Sequence, residues 1–170
     1  MDERENRDED LLSWFIGNSD NSAEFLRDIF ISFILAGPDT TSAALTWFFW
    51  LLSSRPDVLQ RIHQELKTMR ASNGKNVDDT FSFDELREMH YLNASISEAL
   101  RLMEAIWGND CREFRPERWL KNGMVKQESP FWFSVFHAGL RMCLGNHMAY
   151  TQMKSIAAAV IERFEIEVQA

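Results

Sequence analysis

The sequence predicts a mainly α-helical protein with little β structure. Apolar residues recur at the three- and four-residue spacing of a helix face along most of the chain, punctuated by Pro56 and the Asn73-Gly74 turn signal. Strict alternation is confined to the last residues, Glu165 to Gln169, which read as a short C-terminal strand. A length of 170 residues, 45% hydrophobic and with thirteen Phe and six Trp, is enough for one core but not for two.

Residues 1–10 carry six acids and two bases, half of the net charge of −8. They read as the solvated start of an acidic N-terminal segment, residues 1–21. Within it a short helix from Asp10 to Ile16 ends at the Gly17-Asn18 turn. The domain proper spans residues 22–170. Its longest helix runs from Ser22 to Leu52, with Ser22 as N-cap and Glu24 in the first turn. Apolar residues cover most of its circumference, from Phe25 and Leu26 to Trp50 and Leu51. That length would cross a membrane, but Asp39, beside Pro38 and two threonines, is expensive in lipid. The expectation is therefore a helix buried through a core, kinked or opened at Pro38. Pro56 opens a second helix over residues 56–70, with Val58, Leu59, Ile62, Leu66 and Met69 on one face. Residues 71–80 read as a loop. A short helix from Phe83 to Met89 is capped near Ser82 or Asp84. Helices then follow from about Leu92 to Met103 and from His147 to Phe164.

The stretch Phe136 to Gly145 reads F-H-A-G-L-R-M-C-L-G. Gly139 and Gly145 let the backbone loop tightly around the Cys143 sulfur and let a flat ligand come close. Arg141 and the loop amides favour a thiolate, and Phe136, Met142 and Leu144 make its surroundings apolar. Such a thiolate suits an axial ligand to haem iron, whereas a lone cysteine is more often a small buried hydrophobe. The complete pattern F-x-x-G-x-R-x-C-x-G resembles the haem-binding loop of the cytochrome P450 superfamily of haem-thiolate monooxygenases. The resemblance implies the C-terminal helical part of that fold for residues 22–170. It also implies haem b as cofactor, held by Phe136, Gly139, Arg141 and Gly145, with Cys143 as the iron ligand.

Three further motifs stand in the family's order. A-G-P-D-T-T, at Ala36 to Thr41, is similar to the oxygen-activation groove of the family's long central helix, with Pro38 a departure from its usual residue. By that resemblance Thr40 hydrogen-bonds dioxygen and Asp39 helps relay protons. Glu98-Ala99-Leu100-Arg101 places two opposite charges on one helix face, in itself an ordinary surface pair. Pro116-Glu117-Arg118-Trp119 resembles the family's P-E-R-F element. Together these imply a buried triad of Glu98, Arg101 and Arg118 with a structural role.

After Leu102 the chain passes straight into M-E-A-I-W-G-N-D-C-R-E-F-R-P-E-R-W, where the family has a Pro-rich turn and several strands. This looks like an internal deletion, in a chain that matches only the C-terminal part of the family's fold. The run F-I-L-A-G-P-D-T-T-S-A-A-L-T-W-F-F-W-L-L resembles the plant clan of fatty-acid ω-hydroxylases. The resemblance thus implies a small hydrophobic substrate, a fatty acid, with NADPH-cytochrome P450 reductase as electron donor. It also implies the endoplasmic reticulum membrane, although the charged N-terminus offers no transmembrane anchor and leaves the cytoplasm as the alternative. Net acidity excludes a nucleic-acid surface, and two cysteines make no disulfide framework. Two other readings stay open. One is an inactive truncated fragment without a substrate pocket. The other is a zinc-binding helical protein using Cys111, His137, Cys143 and His147.

Overall fold

The structure, a computed structural model, describes residues 15–17, 20–101 and 109–167. Five helices dominate it: α1 (Ala23–Ser53), α2 (Pro56–Asn73), α3 (Phe83–Glu88), α4 (His90–Arg101) and α5 (Asn146–Arg163). Short 3-10 turns lie at Pro116–Trp119, Ser134–Phe136 and Gly139–Arg141. Among the described residues the expected C-terminal strand does not form. Glu165–Glu167 carries no ladder, and residues 168–170 lie outside the described residues. The strands found are β1 (Leu120–Lys121) and β2 (Met124–Val125), an antiparallel pair in which Leu120 faces Val125. They form because Asn122 and Gly123 both adopt positive φ, as a two-residue hairpin turn requires.

The helix ends follow local chemistry. Ser22 caps α1 as expected, its Oγ accepting the Phe25 N–H at 3.1 Å. Pro38 does not open the helix, which stays continuous from Ala23 to Ser53. Pro56 is the first residue of α2, and Gly74 ends that helix at φ 63°, its N–H bonding the Arg70 carbonyl. The helix therefore takes in residues 71–73, which the sequence reads as loop. Ser82 and Glu85 form a reciprocal capping box at the start of α3. In the N-terminal region residues 15–17 are helical, so Gly17 belongs to the helix; residues 10–14 and 18 lie outside the described residues.

The chain divides into two compact units, Met1–Asp39 and Thr40–Ala170. In the first, Asn21 Nδ2 donates to the Phe15 carbonyl and the Phe15 and Phe25 rings meet edge to face. The second holds the core. There Leu45, Phe48 and Leu52 of α1 join Val58, Ile62 and Leu66 of α2, Leu92 and Ile96 of α4, and Met153, Ala157 and Ile161 of α5. Burial of α1 is confined to those three residues. Phe25, Phe30, Ile31, Ile34, Leu35, Trp47 and Trp50 are exposed, contrary to the expectation of a helix buried along its length. The helix is apolar around its circumference, while the neighbouring helices cover one face near one end. Among the described residues α1 is the one helix long and apolar enough to cross a membrane.

A buried ion pair closes the core. Arg70 of α2 donates through Nε and Nη2 to both carboxylate oxygens of Glu162 on α5, at 2.6 and 2.7 Å, with both side chains 8% exposed. Glu162→Ala should cost about 3 kcal/mol, because it strands a buried guanidinium; urea unfolding of the variant measures it. At α3, Lys75 and the Ser82 N–H hold the Glu85 carboxyl below its ordinary range. The stabilisation from Glu85 is thus present above the ordinary carboxylate range and lost as pH falls through the depressed folded-state value. Comparing urea midpoints from pH 7 to pH 3 should show a shallower acid loss in Glu85→Gln than in the parent chain.

Candidate active site

The cysteine loop is built from two tight turns leading into α5. His137 N–H bonds the Ser134 carbonyl at 2.8 Å, and Met142 N–H bonds the Gly139 carbonyl at 3.2 Å. A third bond closes the loop, from the Cys143 N–H to the Phe136 carbonyl at 2.8 Å. Gly139 stands at φ 72°, a conformation that favours glycine, as the sequence reading requires. His137 was missed. It holds φ 61° and ψ 178°, a region that L side chains rarely occupy, directly beside Phe136. Gly145 lies against the sulfur: a Cβ built there would meet Cys143 Sγ at 3.8 Å, an ordinary contact. Cys143 is exposed, and so are the apolar side chains of Leu140, Met142 and Leu144 around it. The Arg141 side chain makes no hydrogen bond or ion pair among the described residues.

Below the loop, α5 and α4 meet through Tyr150. Its hydroxyl lies 2.8 Å from Ser97 Oγ, and its ring packs on Phe136 with centroids 5.5 Å apart. Burial pushes the Tyr150 phenol up to about 12, so it keeps its proton at neutral pH.

Glu98 and Arg101 are fully buried, not a solvated surface pair. Arg101 donates from Nε to Glu98 Oε2 and from Nη2 to Oε1, both at 2.8 Å. Arg118 adds a bond from Nε to Oε1 at 2.9 Å, so the three residues of the expected triad do meet. Two more donors complete the carboxylate: the Arg115 N–H at Oε1 and the Trp119 indole N–H at Oε2, each at 2.8 Å. Trp119 was legible in principle, since a buried indole N–H needs an acceptor. Arg118 also reaches Asp110, and this contact holds the Asp110 carboxyl below its ordinary range. Cys111 lies in the same neighbourhood, its carbonyl accepting from Arg101 Nη1. Among the described residues no three His, Cys, Asp or Glu side chains gather as metal ligands, so Cys111, His137, Cys143 and His147 form no zinc site. Asp39 and Thr40 are exposed on α1, Asp39 closing the first compact unit and Thr40 opening the second.

Comparison with known proteins adds the family. The chain is 49% identical to cytochrome P450 CYP94D108 of Paris polyphylla, over 94% of this chain and 40% of that protein. It is 32% identical to alkane hydroxylase MAH1 of Arabidopsis thaliana, over 87% of this chain and 35% of that one. The chain thus spans about two fifths of the length of the curated relatives it matches. The first alignment runs over 199 residues while 94% of 170 enter it, so about forty positions of the relative have no counterpart here. A crystal structure of a cytochrome P450, CYP102L1, shares the fold at TM-score 0.75 and 22% identity, covering 94% of this chain and 45% of that one. The cytochrome P450 family model matches twice, over residues 1–107 and 103–170. The family pattern therefore stops and restarts between 103 and 107, where the sequence reading places an internal deletion; residues 102–108 lie outside the described ones. With both matches together running the length of the chain, around a complete cysteine loop and a closed Glu98 network, this protein belongs to the cytochrome P450 family.

Proposed function

We propose that this chain carries the haem-binding half of a haem-thiolate monooxygenase acting on a hydrophobic, alkyl-chain substrate. The observation that carries the reading is the exposed Cys143 sulfur at the centre of a loop closed by the Cys143–Phe136 backbone bond. The donor set fits haem b. A single sulfur stands open, glycine lies beside it, and Leu140, Met142 and Leu144 present apolar surface that a flat macrocycle would cover. Arg141, without a partner among the described residues, suits the anionic edge of the same ring. When bound, the haem supplies activation of dioxygen for insertion of one oxygen atom into a C–H bond.

The chain's own residues have narrower tasks. Cys143 would hold the haem through its sulfur, whose direction the loop hydrogen bonds fix. Thr40 Oγ1 and the Asp39 carboxylate hold and pass protons. Pro38 lacks the N–H that would otherwise bond the Ile34 carbonyl, which loosens the helix ladder next to them. The alkyl-chain substrate class rests on the name of the Arabidopsis alkane hydroxylase and on the fatty-acid-hydroxylase likeness of the α1 sequence. NADPH-cytochrome P450 reductase as electron donor and the endoplasmic reticulum membrane as location rest on family membership.

A second reading has specific support. About forty positions of the Paris polyphylla relative have no counterpart here, and the apolar flank of α1 stands exposed. On this reading the chain is a remnant that does not retain haem.

The carbon monoxide difference spectrum of the haem-reconstituted, dithionite-reduced chain separates the two. The monooxygenase reading expects a thiolate-type red-shifted Soret band that Cys143→Ala abolishes. A chain that gives no such band, or one indifferent to the substitution, belongs to the remnant reading. Glu98→Ala should lower unfolding stability by about 3 kcal/mol or more, since it strands the buried Arg101 guanidinium and leaves Arg118 with Asp110 as its one carboxylate among the described residues, and should reduce haem retention with it. Denaturant melts and the haem-to-protein absorbance ratio after gel filtration check the two effects.

A further inference from the structure

Two consecutive residues of α4, Ser97 and Glu98, each bond an aromatic side chain that comes from elsewhere in the chain. Glu98 Oε2 accepts the indole N–H of Trp119 at 2.8 Å. The Ser97 hydroxyl pairs with that of Tyr150 at 2.8 Å. Each aromatic then rests on a phenylalanine of the segment leading into the cysteine loop. Trp119 meets Phe133 edge-on, with centroids 4.8 Å apart and planes at 67°. Tyr150 meets Phe136 at 5.5 Å and 42°. Phe133 is the N-cap of the 3-10 turn that ends in Phe136, and the Phe136 carbonyl is the acceptor of the Cys143 N–H.

We propose that Trp119 and Tyr150 are positioning residues for Cys143, a pair of struts that carry the rigidity of α4 into the cysteine loop through Phe133 and Phe136. The physical case rests on where rigidity is available. The loop itself is poorly buried: Leu140, Met142, Cys143 and Leu144 are all exposed, and three backbone bonds hold its shape. By contrast Ser97 and Glu98 are 3% and 0% exposed, and Glu98 is fixed by five donors. An aromatic ring has two side-chain torsions. Bonding its polar end to α4 and packing its face on a phenylalanine fixes both at small entropic cost. Tryptophan at the end of P-E-R-W supplies an N–H to Glu98 that phenylalanine there could not. The proposal rests on the haem-thiolate reading for what the loop holds, but not for how the loop is held.

Amide hydrogen–deuterium exchange on the full chain without haem tests it. Tyr150→Phe keeps its ring on Phe136 and removes only the hydroxyl that meets Ser97; Trp119→Phe removes the indole N–H bond to Glu98 together with part of the ring, and the exchange rate of α2 in the same sample reports whether the fold is retained. Each should speed exchange across residues 133–145 by roughly fivefold, the worth of one lost hydrogen bond, and the double variant by more. Exchange in α2 should stay at the parent rate. Ser97→Ala, which removes the Tyr150 partner from the other side, should reproduce Tyr150→Phe. Unchanged exchange over 133–145 overturns the proposal. An equal rise in that segment and in α2 overturns it too, since it reports loss of global stability rather than of positioning. In haem-loaded protein the thiolate-type fraction of the carbon monoxide complex should fall in the same order of variants. If the parent chain forms no such band, the haem reading fails while the exchange result still decides whether the struts act.

Discussion

The structure depends on one buried carboxylate. Glu98 sits at zero exposure and accepts five N–H donors, three of them from two arginine side chains, one from an indole and one from the backbone of Arg115. An isolated carboxylate at that depth would be prohibitively costly, and so would either guanidinium alone. Each donor offsets part of that cost. The donors come from α4 and from the Arg115–Trp119 stretch, so satisfying the charge fixes how the segment after residue 109 returns to the helical core. The hairpin β1–β2 follows directly from that stretch and packs against α4.

This explains how the chain keeps a recognisable core around a missing stretch. The family pattern breaks between residues 103 and 107, yet Arg115, Arg118 and Trp119 still reach Glu98 and Arg101. Pairing on both sides of the break does not need the intervening residues, because the charges specify the geometry themselves. The apolar side of the fold has no such device. Hydrophobic burial is non-directional, and α1 simply exposes what its neighbours do not cover.

The cysteine loop draws on both kinds of interaction. Its own bonds are local, from Phe136, Gly139 and Ser134, and could form in a short peptide. Its orientation is not local. It is set by the packing of Phe133 and Phe136 on Trp119 and Tyr150, which are anchored on α4. His137, held at positive φ beside Phe136, is the conformational cost of this closure.

Much was legible in the sequence because it depends on near neighbours. Ser22 and Ser82 cap helices, Pro56 starts one and Gly74 ends one through interactions within a single turn, and each stands where its residue type implies. The loop glycine at positive φ and the F-x-x-G-x-R-x-C-x-G spacing are local in the same sense. The sequence failed where the outcome depended on distant partners. Alternation at Glu165–Glu167 is a strand only if another strand lies beside it, and the two strands that did pair turn on Asn122-Gly123, a local signal that the sequence reading did not use. The apolar circumference of α1 implied burial, but burial requires covering residues, and here they reach only Leu45, Phe48 and Leu52. The i,i+3 spacing of Glu98 and Arg101 alone implied a surface pair; their burial was expected only from the family resemblance, and it comes from the chain folding Arg118 and Trp119 onto them. Local geometry is written in adjacent residues; what a charge or an apolar face is worth depends on what the rest of the chain brings to it.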